Sequence, residues 1–145
     1  MNRTEFEALR DLPNKHVRAD DIRFLRSEQH RPFFRAEGIV IENDMDVDAR
    51  MTLTFNPETD SFTINVHVKE AGGAICRLDV NSTPHRPAGR THKHSLQTER
   101  CPQRNIPDGV VDRPDLQALA PEEAFAEFCS MANITVVGEF RIPAE

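Results

Sequence analysis

Residues 50–69 read RMTLTFNPETDSFTINVHVK, and this stretch decides the fold. Apolar and polar side chains alternate through residues 50–55 and again through residues 61–69. A period of two is typical of a strand with one buried face. The intervening Asn56-Pro57-Glu58-Thr59-Asp60 has the composition of a turn. The stretch therefore predicts a β-hairpin whose buried face carries Met51, Leu53, Phe55, Phe62, Ile64, Val66 and Val68.

Around this hairpin, other segments show strand or helix patterns. Thr4 and Glu7 have the spacing of a capping box, and Pro121 followed by two glutamates is typical of a helix start. Three prolines make residues 99–115 irregular in this interpretation. The predicted helices span residues 4–12 and 121–132, and the predicted strands span residues 21–25, 33–42, 74–80, 91–98 and 134–142.

This order of elements predicts the fold class. Adjacent strands joined by short turns favour an antiparallel sheet, and helices at the two ends of the chain can cover one of its faces. We therefore expect an α+β fold, with about five to six antiparallel strands and an N-terminal and a C-terminal helix packed on one face. A length of 145 residues predicts a single domain, residues 1–145.

Composition indicates the compartment of the protein and whether it inserts in a membrane. The chain has no run of about 18 apolar residues, and its charged N-terminus lacks the apolar segment of a secretory signal. Its three cysteines, Cys76, Cys101 and Cys129, are an odd number and show no C-x-x-C spacing. Such cysteines are typical of reduced thiols. We therefore predict a cytoplasmic protein that does not insert in a membrane.

The charge is unevenly distributed along the chain. The stretch from Cys76 to Arg104 holds six basic and two acidic residues, a net charge of +4, in a chain whose total is −6. The remainder therefore carries −10. A local basic stretch on an acidic protein indicates an anion-binding site, although a solvated loop of this composition is equally compatible with the charge.

Three histidines lie in the same basic stretch: His85, His92 and His94. If residues 91–98 form a strand, His92 and His94 share a face with their Cα atoms about 6.5–7 Å apart. Arg77 and Asp79 share a face of the preceding strand in the same way. Pairing of the two strands would gather all four residues on one surface, with His85 reaching in from the connecting loop.

Such a cluster suits phosphodiester cleavage without a metal. A general base must take the proton of the 2′-hydroxyl, a general acid must protonate the leaving oxygen, and cations must stabilise the phosphorane. Histidines with near-neutral pKa values can serve as both acid and base. Asp79 can orient one imidazole.

Two other interpretations remain open. His92 and His94 can chelate zinc, with His85, Asp79 or Cys101 completing the site, although the neighbouring Lys and Arg disfavour a second cation. A histidine-rich turn can also serve as a structural anchor or a binding surface without chemistry. The absence of a phosphate-binding glycine loop, a nucleophile elbow and a dinucleotide fingerprint excludes the reactions that depend on those motifs.

The central stretch resembles a known family. Arg77-Leu78-Asp79, then His85 and Gly89, then His92-Lys93-His94 is similar to the centre of an uncharacterised family of small bacterial and prophage proteins. The resemblance extends over about residues 1–140 and includes Phe128-Cys129 near the end of the last helix. It implies a mobile-element or toxin–antitoxin context and no particular activity. In many relatives an aromatic and an acidic residue follow the His-x-His, and Ser95-Leu96-Gln97-Thr98-Glu99 departs from that pattern.

Together these patterns predict a small, toxin-like, metal-independent endoribonuclease, or another phosphodiester-acting protein. The alternatives are a non-catalytic protein-binding module, such as an inhibitor or antitoxin-like partner, and a His-ligated zinc site. No cofactor is predicted. RNA is the expected substrate, a protein partner (antitoxin or host target) is expected as well, and a homo-oligomer is possible. The candidate catalytic residues are His85, His92, His94, Arg77 and Asp79, and the candidate nucleic-acid-binding residues are Arg86, Arg90, Lys93, Arg100 and Arg104.

Overall fold

The computed structural model describes residues 3–27, 33–81, 92–95, 110–116 and 119–143. For residues 92–95 and 110–112 it describes the strand pairing of the backbone. The helices are α1 (Arg3–Arg10) and α2 (Pro121–Met131). The strands are β1 (His16–Arg18), β2 (Leu25–Ser27), β3 (Phe33–Ile41), β4 (Ala49–Asn56), β5 (Ser61–Val68), β6 (Gly73–Val80), β7 (His92–Ser95), β8 (Val110–Asp112) and β9 (Thr135–Val137).

Within these residues, seven strands form one antiparallel sheet in the order β2-β3-β4-β5-β6-β7-β8. Each strand pairs with its neighbours in sequence, as short connections between successive strands favour. The predicted α+β class is therefore confirmed. The sheet is wider than the predicted five to six strands because the short strands β2 and β8 extend its two edges.

The predicted hairpin is the centre of this sheet. β4 and β5 pair without interruption from Ala49↔Val68 to Asn56↔Ser61. Alternate residues of both strands are buried, in agreement with the period of two. The turn between them includes Asp60 in the left-handed region, at φ +54°, a conformation that aspartate tolerates better than most residues.

Both helices lie on the apolar face of the sheet. Leu9 of α1 and Met131 at the end of α2 line one small cavity of about 40 Å³, together with Val66 and Val68 of β5. The buried residues of α2 are Ala124, Phe125, Phe128 and Cys129. The hydrophobic core of the protein lies between the two helices and this face. Each Å² of apolar surface buried there stabilises the fold by about 25 cal/mol.

An aromatic cluster joins α2 to the sheet. The ring of Phe140, which follows β9, lies 4.0 Å from the ring of Phe125 in α2 and 6.3 Å from that of Phe62 in β5, centroid to centroid. Phe24 approaches Phe140 at 6.2 Å. The C-terminal segment is thus held against the core by aromatic packing, although it has no regular structure after β9.

A second, two-stranded sheet was not predicted. β1 pairs with β9 in parallel, from His16↔Thr135 to Arg18↔Val137. Neither three-residue strand has a strong pattern of its own, and a parallel pair between distant segments leaves no local signal in the sequence. Asn133 is in the left-handed conformation at φ +57° directly after the C-cap of α2, so it turns the chain from the helix into β9.

Three segments differ from their predictions. The strand predicted at 21–25 lies at Leu25–Ser27, because Ile22 and Phe24 pack against the core from a segment outside the sheet. The strand predicted at 134–142 covers Thr135–Val137 and ends at Gly138, where φ is +94°. The irregular segment predicted at 99–115 includes β8.

The structure was also searched for membrane-spanning helices. None of the helices within the described part of the chain is long and apolar enough to cross a membrane.

Candidate functional site

The face of the sheet opposite the helices is polar. Cross-strand pairing aligns its residues in two neighbouring rows, because residues directly opposite each other share a face. One row runs Thr54, Thr63, Asp79, His92, and the next runs Thr52, Asn65, Arg77, His94. We call this surface, defined by Thr52, Thr63, Asn65, His67, Arg77, Asp79, His92 and His94, the polar face.

An ion pair lies at the centre of the polar face. The Arg77 guanidinium donates from Nε and Nη2 to Asp79 Oδ1, at 3.1 and 2.9 Å, and Nε also lies 2.9 Å from Asp79 Oδ2. The Asp79 side chain is 1% exposed and that of Arg77 is 28% exposed. A buried carboxylate of this kind depends on its cation, since an unpaired buried charge is strongly unfavourable.

Thr63 and Asn65 complete the surroundings of this pair on β5. Thr63 Oγ1 donates to Asp79 Oδ1 at 2.9 Å. Asn65 is the cross-strand partner of Arg77, and its buried Oδ1 has no hydrogen-bond partner among the described residues. Neither residue was a sequence candidate. The only signal for them was the alternation of β5, which places Thr63, Asn65 and His67 on one face.

His67 lies in the next position along β5 and is hydrogen-bonded to the hydroxyl of Thr52, with 2.9 Å between Nε2 and Oγ1. Burial lowers the pKa of His67, and the positive charge of Arg35 lowers it further. The imidazole is therefore neutral at pH 7. The ring is half-buried and held in place by the hydroxyl of Thr52.

The predicted pairing of the strands that carry Arg77 and the His-x-His is observed. β6 and β7 are antiparallel neighbours, with Arg77 opposite His94 and Asp79 opposite His92. Directly opposed residues of antiparallel strands have Cα atoms about 4.5–5.5 Å apart. Four of the five candidate catalytic residues therefore occupy adjacent positions on the polar face.

The register also separates Lys93 from the two histidines. Lys93 is opposite Leu78, which is fully buried on the core side of the sheet. Positions alternate between faces along a strand, so Lys93 belongs to the face opposite that of His92 and His94. Its predicted role in phosphate binding therefore finds no support in this register.

β8 extends the polar face beyond the histidines. Asp112 is opposite His92, and Val110 is opposite His94. The His92 position therefore lies between two acidic residues, Asp79 and Asp112, whereas the His94 position lies between Arg77 and a valine. This difference between the two histidines depends on a strand that was not predicted.

Several candidate residues cannot be placed. The candidate catalytic residue His85 and the candidate RNA-binding residues lie outside the described residues; they are Arg86, Arg90, Arg100 and Arg104. Cys101, considered for zinc, also lies outside them. No group of three or more potential metal ligands occurs among the described side chains, which do not include those of β7.

A second unusual ionisable group, Lys15, lies on the other side of the sheet. Its ammonium donates to the carbonyl oxygen of Ala132, the C-cap of α2, at 2.5 Å, and the residue is 7% exposed. Burial lowers the pKa of Lys15 to about 8 from its ordinary 10.5. It lines the small cavity under α1 and α2 with Cys76, and burial raises the pKa of the nearby Cys129 to about 12.

The buried lysine predicts that stability increases in alkali. Between pH 8 and 10.5 the unfolded chain holds the Lys15 proton and the folded protein does not, so unfolding takes up a proton. We expect the Lys15 contribution to the free energy of unfolding to rise by up to about 3 kcal/mol across this window. The raised pKa of the Cys129 thiol acts in the opposite sense above pH 9, so the difference between the wild type and a Lys15 variant isolates the lysine. Below pH 8 the cost of burying the charge is fully present.

Urea denaturation at pH 7.5 and pH 10 would measure this rise. Lys15→Met should remove most of it, whereas Lys69→Met, at a turn after β5, should retain it. The chain suits the test because it has no tyrosine and only two lysines besides Lys15. An equal rise in the wild type and in Lys15→Met would contradict the assignment.

The chain was also compared with known proteins. No protein-family model matches it, and searches of curated proteins and of solved structures found no match. The resemblance to small prophage proteins therefore stays a prediction.

Proposed function

We propose that the polar face is a site of metal-independent phosphodiester cleavage, with RNA as the substrate. The observation that supports this most directly is the β6–β7 register, with Arg77 opposite His94 and Asp79 opposite His92. Two positions that carry histidine are thereby next to the positions of an arginine and an aspartate. Convergence of such residue types is the geometric condition for this reaction class.

In the proposed reaction the 2′-hydroxyl oxygen of the substrate attacks the adjacent phosphorus. One histidine takes the 2′-hydroxyl proton, and the other gives a proton to the 5′-oxygen that leaves. The products are a 2′,3′-cyclic phosphate and a free 5′-hydroxyl. Protons and electrons balance without a metal or an oxidant.

The register supports a division of roles between the two histidines. The His92 position has an acidic residue opposite it on each neighbouring strand, Asp79 and Asp112. The His94 position is opposite Arg77 on one strand and Val110 on the other. We therefore assign His92 as the general acid and His94 as the general base, in the way that opposed environments separate acid from base in other active sites.

Arg77 keeps enough hydrogen-bonding capacity to bind the phosphate. A guanidinium has five N–H donors, and the contacts with Asp79 use one on Nε and one on Nη2. Three donors remain for phosphate oxygens. Asp79 is thus a positioning residue, which holds the guanidinium in one orientation on the polar face.

The first test is RNA cleavage in EDTA by the wild type and by His92→Ala and His94→Ala. We expect each variant to lose at least about 100-fold in rate, the lower limit for a general acid or base. His16→Ala is the matched control, because His16 lies on β1 in the other sheet and pairs with Glu42. Unchanged cleavage in both polar-face variants would remove their proposed roles.

A substrate with an activated leaving group would test which histidine is the general acid and which is the general base. A leaving group that departs without a proton makes the general acid unnecessary. We therefore expect such a substrate to restore most of the rate in His92→Ala but not in His94→Ala. Restoration in the opposite variant would reverse the assignment, and restoration in neither would exclude His92 as the acid.

The same experiments distinguish the two alternative functions. A non-catalytic binding module would form a stoichiometric complex with a partner and show no turnover of RNA. A zinc site would make activity or stability sensitive to EDTA, and protein purified without a His-tag would contain metal. Less than about 0.2 metal per chain would exclude a zinc site.

The biological setting is part of the proposal. The toxin-like, bacterial or prophage context depends on the resemblance of the central stretch. The cytoplasmic location depends on the cysteine pattern, with which the burial of Cys76 and Cys129 is compatible. A protein partner, such as an antitoxin or a host target, is proposed from the same resemblance. A homo-oligomer is proposed as well.

A further inference from the structure

A groove of about 550 Å³ lies at the edge of the main sheet, where β2 pairs with β3. The groove is lined by residues that include Arg23, Leu25, Arg26, Phe33 and Arg35, and we call this surface the arginine groove. It is separate from the basic stretch of residues 76–104 and was not predicted from the sequence.

The groove concentrates positive charge on an acidic protein. Arg23 and Arg26 are exposed, and no ion pair to either occurs within the part of the chain that the structure describes. Arg35 is paired with Glu37, and Asp21 also lines the groove. Two guanidinium groups of the groove are therefore without an ion-pair partner among the described residues, and both can pair with an anionic ligand.

The groove also exposes apolar surface next to these charges. Leu25 is 75% exposed, more than any other large hydrophobic residue in the described part of the chain. Phe33, half-buried, lies on the neighbouring strand opposite Ser27. Aromatic and apolar side chains beside arginines are what single-stranded nucleic acids bind, since bases stack on the former and phosphates pair with the latter.

The strand register connects the groove to the proposed active site. Leu25, Arg35, Thr54, Thr63, Asp79 and His92 form one continuous cross-strand row on the polar face. Neighbouring strands are about 4.8 Å apart, so four strand steps separate Arg35 from His92 by about 19 Å. An extended strand of several nucleotides can span that distance.

We propose that the arginine groove binds single-stranded RNA that extends from the cleavage site along the polar face. This inference rests on the proposed function and adds a second contact region for the same substrate. Arg23 and Arg26 bind backbone phosphates, and Leu25 and Phe33 contact bases. Arg26 is opposite Phe34 and so alternates with Leu25 on β2, and it lines the groove from the edge of the sheet. Because stacking and phosphate contacts carry little sequence information, the groove supplies affinity without base specificity.

Binding of a fluorescent oligonucleotide with 2′-O-methyl groups, which blocks attack by the 2′-oxygen, would test the groove without cleavage. We expect Arg23→Gln/Arg26→Gln to weaken binding of a chain of about 12 nucleotides about tenfold. The slope of log K against log salt should fall in magnitude by about 1.4, the value for two lost phosphate contacts on a single strand. A chain of about 4 nucleotides, too short to reach both regions, should show a smaller change.

Arg18→Gln/Arg141→Gln is the matched control, since it removes the same net charge from exposed arginines that pair with Glu42 and Glu139 outside the groove. Its affinity and salt slope should stay close to those of the wild type. Equal losses in the two double variants would show a general charge effect and overturn the inference. Unchanged binding in Arg23→Gln/Arg26→Gln would overturn it as well.

Three further outcomes separate this inference from its alternatives. A concentration-dependent dimer that Leu25→Asp dissociates, with no binding of the oligonucleotide, would show that the β2 edge pairs with a second copy and would overturn the RNA groove. If the groove variants weaken binding but the wild type cleaves no RNA, the groove stands and the proposed catalysis falls. Cleavage that is insensitive to Arg23 and Arg26 would leave the catalysis and remove the groove.

Discussion

Arg77→Met is expected to lower the free energy of unfolding by about 3–5 kcal/mol, the loss that follows when one partner of a buried ion pair is removed. The variant leaves Asp79, which is 0% exposed, without the guanidinium that now contacts both of its oxygens. Urea unfolding followed by circular dichroism would measure the change.

A matched control comes from β4, which lies two strands away from β6 in the same sheet. Arg50 pairs with Asp48 through Nε at 3.0 Å, with the same two-residue spacing as Arg77 and Asp79, but Asp48 is 42% exposed. We expect Arg50→Met to change stability by less than about 1 kcal/mol, as for other exposed ion pairs. Equal effects of Arg50→Met and Arg77→Met would show that burial of Asp79 is not what makes its pair important.

The double variant Arg77→Met/Asp79→Leu separates stability from function. Replacing both partners of a buried pair with apolar residues is often neutral or stabilising. We therefore expect this variant to regain most of the stability lost in Arg77→Met. RNA cleavage should stay impaired in the refolded protein, because the cation for the phosphate is still missing. Recovery of cleavage together with stability would assign Arg77 a purely structural role.

Phe125→Ala is expected to destabilise the protein by about 3–5 kcal/mol, the range for removing a buried aromatic side chain from a core. Phe125 is 1% exposed and its ring lies 4.0 Å from that of Phe140. The cavity would form where α2 and the C-terminal segment meet the sheet. Denaturant unfolding monitored at several wavelengths would measure the loss and test whether the transition stays two-state.

Met45→Ala serves as the control for this variant, because Met45 is a large apolar residue that is 64% exposed. We expect its effect to lie within about 0.5 kcal/mol. Phe125→Leu, which keeps most of the buried volume, should cost less than Phe125→Ala. A loss in Phe125→Ala as small as that in Met45→Ala would contradict the proposed anchoring of the C-terminal segment.

Some helices and strands were predicted from the sequence and others were not, and the difference has a physical reason. The β4–β5 hairpin and α2 were predicted because each carries its own periodic pattern and a turn or cap signal nearby. β1 was not predicted, and β9 was predicted only within a longer strand at 134–142. Their pairing left no local signal, because its hydrogen bonds join segments more than a hundred residues apart. β8 was not predicted because prolines lie on both sides of it and favour irregular structure.

The candidate site shows the same division. The sequence by itself determined the alternation that puts Arg77 and Asp79, and likewise His92 and His94, on one face of their strands, because side-chain direction follows from the period of a strand. Only the tertiary structure decided the rest: the burial of Asp79, its contact with Thr63, the acidic residue Asp112 opposite His92, and the row that links the polar face to Arg35. These features depend on which strands become neighbours and in what register, and the burial of one face of each strand together with the geometry of the connections sets both.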